Sequence, residues 1–110
     1  MSQLLKVDGA TFHTAIRAKE IVLVDFGAEW CSPCKALTPI LEELQEEEGE
    51  RLSILKVDCD ESPELAGTYG VMSMPTVIVF QGGEPVDKLV GLRPKEVYRS
   101  AYSRYIHNPS

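Results

Sequence analysis

Two cysteines stand three positions apart in Trp30-Cys31-Ser32-Pro33-Cys34, a spacing at which thiols can close a disulfide and reopen it. The stretch follows Ile21 to Phe26, an apolar run that reads as a buried strand. It precedes Lys35 to Glu48, which reads as a helix. Cys31 therefore falls where strand passes to helix, beside unpaired backbone N–H groups and the positive end of the helix dipole. A thiolate is stabilised there, and the thiolate is the form that attacks disulfides. Cys31 is expected to be exposed, with a depressed pKa. Cys34 lies one turn on, on the same face and pointing inward. The chemistry that suits this arrangement is exchange: Cys31 attacks, and Cys34 resolves the mixed disulfide.

Cys34 must lose a proton before it can attack. Asp25 lies inside the apolar strand, where burial disfavours its charged form. A carboxyl with a raised pKa can pass protons near neutral pH. Lys56 shares the strand parity of Leu52 and Ile54, which places it as an electrostatic neighbour of Asp25. The competing reading is a purely structural Asp25–Lys56 pair. Trp30, after the strand end and next to Cys31, reads as site surface rather than core. Cys59 lacks a cysteine at close spacing and reads as a small semi-buried residue; a regulatory thiol open to oxidation is the alternative. His13 and His107 read as surface helix residues. No metal is expected, because a structural zinc site wants four ligands and the second pair is missing. Haem attachment would need a histidine at position 35, which is Lys35.

These residues need elements to hold them. Leu4 to Val7 suits a short first strand, and Ala10 to Lys19 a helix with Phe12, Ala15, Ile16 and Ala18 on one face. The strand at Ile21 is apolar on both faces, which calls for a covered, partly parallel sheet. The following helix turns Leu37, Ile40, Leu41 and Leu44 inward, with a kink expected at Pro39. Its many glutamates (Glu42, Glu43, Glu46, Glu47, Glu48) read as a solvated charge run. Leu52 to Asp58 is a third strand. Ser62-Pro63 opens a short helix, with Ser62 as cap, that ends near Gly70. Pro75 to Phe80 and Pro85 to Val90 form an antiparallel hairpin across Gly82-Gly83. Arg93-Pro94 opens a last helix carrying Val97, Tyr98, Ala101, Tyr102 and Tyr105. The order is βαβαβαββα, an α/β arrangement with helices over both sheet faces.

With 110 residues, one domain spanning 1–110 is expected. The net charge of −6, without any Lys/Arg cluster, argues against nucleic-acid and anionic-membrane partners. No apolar run reaches the length of a membrane span. Met1 to Gly9 shows no charged stretch followed by an apolar core, so no secretory leader is expected and the cytoplasm is. Three cysteines with one close pair do not suggest a secreted disulfide framework.

The chain resembles the thioredoxin family almost end to end. Carrying the resemblance are Val24-Asp25-Phe26, Ala28-Glu29-Trp30-Cys31, Pro33-Cys34-Lys35, Pro39, Lys56-Val57-Asp58, Met74-Pro75-Thr76, Gly82 to Pro85, and Gly91. The resemblance implies a thioredoxin fold, a central five-stranded mixed sheet flanked by four helices. It also implies a monomer with no bound cofactor that reduces protein disulfides, with electrons from an NADPH- or ferredoxin-linked thioredoxin reductase. By the same resemblance Pro75 is cis and faces the cysteines. Trp30, Met74, Pro75, Gly91 and Leu92 would then form a shallow groove for an extended substrate peptide. Met72 and Met74 suit varied partners, with plain loop and core filling as the alternative. Two positions depart from the family pattern. Ser32 replaces the usual glycine, and its hydroxyl can donate to the Cys31 thiolate or accept from a backbone N–H; Ser32 and Pro33 would tune the site. Gly27 stands where many bacterial members carry tryptophan. A rival of another class is a thioredoxin-like module that docks one dedicated partner with little turnover.

Overall fold

The computed structural model describes residues 4–106. Strands β1 (Leu5–Val7), β2 (Ile21–Gly27), β3 (Ser53–Asp58), β4 (Thr76–Gln81) and β5 (Glu84–Val90) form one sheet in the order β1-β3-β2-β4-β5. β1, β3 and β2 run parallel, while β4 is antiparallel to both β2 and β5. Helices α1 (Phe12–Ala15), α2 (Ser32–Glu48), α3 (Pro63–Thr68) and α4 (Lys95–Ile106) cover the two faces, giving the expected five-stranded mixed sheet with four helices.

Strand parity sorts the core into two halves. Ile21, Leu23, Ile54, Val77 and Val79 face α2 and α4, against Leu37, Leu41, Leu44, Tyr98 and Tyr102. Val22, Val24, Phe26, Leu55, Val57 and Phe80 face the other way, against Phe12, Ile16 and Leu65. Every residue of β2 is buried, as a strand with apolar residues on both faces requires. Asp25 has the parity of Ile21 and Leu23, which sends its carboxyl toward α2, and its register partner in β3 is Lys56. Gly82 (φ 59°) and Gly83 (φ 84°) both take the left-handed conformation that a tight primed hairpin turn demands.

Several boundaries differ from expectation. α1 is one turn long instead of spanning Ala10 to Lys19. After Ile16 the chain tightens, with Arg17 N–H donating to Thr14 and Ala18 N–H to Ala15 (both 3.2 Å), and Ala18 is exposed. Phe12 and Ile16 are the fully buried anchors of the segment, with Ala15 packed beside them, and the turns bring the chain back into β2. α2 begins at Ser32, not Lys35, because Cys31 itself is the cap and Pro33 suits the first turn. Ile40 is only half-buried. The last helix starts at Lys95 rather than Arg93. Ser62 precedes α3 but makes no side-chain cap bond.

The acidic face of α2 is not simply solvated. Lys95 bridges Glu43 (2.9 Å) and Glu47 (2.7 Å), and Arg99 reaches Glu47 at 2.6 Å and Glu96 within its own helix. Glu48 pairs with Arg51 at 3.0 Å and accepts from the Tyr102 hydroxyl at 2.9 Å. Arg99 and Lys95 hold the Glu47 carboxyl below its usual range. Helix α4 supplies Lys95 and Arg99 in three dimensions, which the glutamate run alone does not reveal. His13 is exposed, and His107 lies outside the described residues.

Candidate active site

β2 ends at Gly27, and the turn that follows, with Cys31 N–H donating to Ala28 at 3.2 Å, delivers Cys31 to the start of α2. Cys31 caps the helix with sulfur: its backbone is extended (φ −89°, ψ 110°), and its Sγ accepts from the Cys34 N–H at 3.2 Å. Cys31 and Cys34 are joined in a disulfide, with Cα atoms 5.2 Å apart. The cap supplies the donor that a thiolate on Cys31 would need once the bond opens.

The expectation that Cys31 is exposed does not hold. Cys31 is 4% exposed and Cys34 6%, so exposure does not tell them apart. What separates them is the cap hydrogen bond and the Met74 carbonyl, 3.9 Å from Cys31 Sγ. Ser32 is exposed and its hydroxyl makes no hydrogen bond among the described residues, so the donor at Cys31 is backbone rather than serine. Pro33 is exposed beside it.

Asp25 is 2% exposed, and its Oδ1 has no hydrogen-bond partner among the described residues. Burial pushes its pKa up to about 7, against the opposing pull of the Lys56 charge. The expected neighbour does not form an ion pair with it. Lys56 Nζ instead donates to the Thr38 hydroxyl at 3.1 Å, and that hydroxyl donates to the Cys34 carbonyl at 3.3 Å. Asp25, Cys34, Thr38, Lys56, Lys35 and Gly27 line a common cavity of about 490 Å³. Gly27 is part of what brings the carboxyl and the thiol together. A Cβ there would lie 3.0 Å from Cys34 Sγ and 3.8 Å from Asp25 Oδ1, so any side chain would press on Cys34.

Trp30, next to Cys31 in the chain, is 66% exposed, and its indole N–H donates to Asp60 Oδ2 at 2.7 Å. The Met74–Pro75 peptide bond is cis. Gly91 N–H donates to the Pro75 carbonyl at 2.8 Å, placing Gly91 and the exposed Leu92 next to the Met74-Pro75 turn. Met72 is almost wholly exposed and Met74 half-buried, so Met72 is not core filler. Thr38 and Asp60 are hydrogen-bonded neighbours of Lys56, Cys34 and Trp30 that the sequence alone does not point to. Thr38 follows Cys34 by one helical turn, a spacing that could have suggested it; Asp60 carries no comparable signal.

Cys59 is half-buried at the end of β3. Burial first, then Asp58, Asp25 and Asp60, push its thiol up to about 11. A thiol held protonated is a poor nucleophile. Cys59→Ser is therefore expected to leave the rate of disulfide reduction nearly unchanged under reducing conditions. A large loss in a folded variant, measured by insulin reduction, would contradict this. Among the described residues no group of three or more His, Cys, Asp or Glu side chains could hold a metal ion, and no helix is long and apolar enough to cross a membrane.

Comparison with known proteins bears on what this pair does. The thioredoxin family model matches residues 3–103. A thioredoxin of Listeria monocytogenes is 45% identical over 101 residues, covering 92% of this chain and 97% of that protein. One from Staphylococcus aureus is 50% identical over 93 residues, covering 84% and 88%. Among solved structures, a mutant thioredoxin from Halobacterium salinarum superposes with a TM-score of 0.90 at 33% identity, covering 100% of this chain and 98% of that one. Plasmodium falciparum thioredoxin gives 0.84 at 35%, covering 93% and 99%. The helix-capping disulfide thus sits within a match that spans nearly the whole sequence, and the chain belongs to the thioredoxin family of protein thiol–disulfide oxidoreductases.

Proposed function

We propose that this protein reduces disulfides in other proteins, with Cys31 as attacking thiolate and Cys34 as resolving thiol. The observation that carries the assignment is the sulfur cap: Cys31 Sγ receives the Cys34 N–H at 3.2 Å and faces the Met74 carbonyl at 3.9 Å. In the first step the Cys31 thiolate attacks one sulfur of the substrate disulfide, and the other leaves as a thiolate. Cys34, deprotonated by the Asp25 carboxylate with which it shares a cavity, then attacks Cys31 Sγ. The substrate leaves as a dithiol and the Cys31–Cys34 disulfide remains. An Asp25 pKa of about 7 suits both taking up and releasing that proton near neutral pH. Lys56 acts on Asp25 through its charge.

Trp30, Met74, Pro75, Gly91 and Leu92 form the groove in this reading, and Ser32 and Pro33 set the geometry of the first helical turn. Two electrons from an NADPH- or ferredoxin-linked thioredoxin reductase regenerate the dithiol. A couple kept reduced this way belongs in a reducing compartment, which favours the cytoplasm; the protein acts there as a monomer, one unit over residues 1–110. The test is coupled turnover. With NADPH-linked or ferredoxin-linked reductase and insulin, catalytic amounts of the protein should drive insulin reduction. No turnover with either reductase, nor with dithiothreitol as electron donor, would refute the proposal.

A further inference from the structure

Tyr98 is wholly buried in the core between the sheet and α2, yet its hydroxyl is used outside that core. It accepts from the Arg93 backbone N–H at 3.0 Å and donates to the Gly91 carbonyl at 3.2 Å. Gly91 in turn donates its N–H to the Pro75 carbonyl at 2.8 Å. One side chain of α4 is thereby linked, through the loop after β5, to the turn whose Met74 carbonyl faces Cys31 Sγ. A buried phenol must find hydrogen-bond partners, and here both partners lie on the same loop. That loop has little else to fix it. Gly91 has φ +85° and no side chain, Leu92 is 44% exposed, and Arg93 turns its guanidinium Nε back to the Val90 carbonyl at 3.0 Å. Leucine or phenylalanine at position 98 could fill the same core position but could not tie the loop down.

We infer that Tyr98 is a positioning residue whose hydroxyl holds the Gly91–Leu92 rim in the shape that receives an extended substrate chain. The inference rests on the groove reading above. Its effect is on docking: a rim already held in place spares the complex the cost of ordering it on binding. The thiol chemistry itself is untouched, since Tyr98 contacts neither sulfur.

Tyr98→Phe keeps the ring and removes only the hydroxyl. With insulin as substrate, KM should rise about threefold to tenfold, the scale of one or two lost hydrogen bonds, while kcat holds. Reduction of a small aromatic disulfide, which needs no groove, should keep its wild-type rate. Hydrogen exchange at the Arg93 amide should become faster. Leu92→Glu, measured beside it, tests the groove alone. If Leu92→Glu leaves the insulin KM unchanged, the groove reading falls and this inference with it. If Leu92→Glu raises KM while Tyr98→Phe does not, the groove stands and the role of Tyr98 is overturned. A parallel loss toward both substrates in Tyr98→Phe, or an unchanged Arg93 exchange rate, also overturns it.

Discussion

Cys31→Ser is expected to abolish disulfide reduction, whereas Cys34→Ser should still attack once and then stall as a mixed disulfide with its substrate. The asymmetry comes from the helix start. Only Cys31 occupies the cap, where the Cys34 N–H and the helix dipole stabilise a thiolate. Serine at 31 has no nucleophile of comparable strength at neutral pH, so loss should be complete within the sensitivity of an insulin assay. Serine at 34 removes only the second exchange. Non-reducing gels of lysate incubated with each variant read the difference directly: Cys34→Ser should give high-mass adducts that collapse with dithiothreitol. Adducts on Cys31→Ser and none on Cys34→Ser would reverse the roles.

Asp25→Asn should make the protein more stable and a poorer catalyst. In the folded state the Asp25 pKa is raised to about 7, chiefly by burial, against an unfolded value of about 3.9. Between those values the native state binds more protons than the unfolded state, so stability falls as pH rises. The contribution is fully present below about pH 4, is lost progressively up to about pH 7, and levels off above. A rise from about 3.9 to about 7 corresponds to about 4 kcal/mol, at about 1.36 kcal/mol for each factor of ten in proton affinity. Asparagine carries no charge to bury, but its amide still needs partners. The expected gain near pH 8 is therefore about 2 to 4 kcal/mol. Denaturant midpoints from pH 4 to 8 should show a wild-type decline that is much weaker in the variant. An unchanged or less stable variant at pH 7.5 would remove the buried-carboxyl account. Resolution by Cys34 should slow at the same time, seen as a longer-lived mixed disulfide.

What can be read in advance follows from how local each signal is. The apolar β2, the Gly82-Gly83 turn and the cysteine cap are written in contiguous residues. So is the alternation within β2 and within β3 that gives Asp25 and Lys56 their sheet face. Belonging to one sheet face does not reveal what each polar group chooses as partner. Lys56 sits next to Asp25 in register but binds Thr38, a residue of another element. Trp30 finds Asp60, and Tyr98 finds the loop after β5, through packing that no periodicity encodes. α1 is shorter than its pattern suggests because four apolar residues fit a helical spacing, while only Phe12 and Ile16 are fully buried. Cys31 stands at the helix start, as its position in the chain implies, but not in the open, since the chain around Met74 that approaches it arrives from far along the sequence.

The strand order has a consequence for the chain as it is made. β2 lies between β3 and β4, and β4 is synthesised well after the cysteine pair. Until Thr76–Gln81 emerges from the ribosome, β2 has an open edge on its β4 side, and the Met74 carbonyl has not yet reached Cys31. Cys31 then lacks the neighbour that approaches its sulfur in the finished protein. A nascent chain halted before β4 should accordingly lack the Met74 contact that distinguishes Cys31 from Cys34, and should gain its activity toward protein disulfides only when the hairpin closes. Completion of the site around Cys31 is thus a late event in biosynthesis, conferred by the half of the chain that carries neither cysteine of the pair.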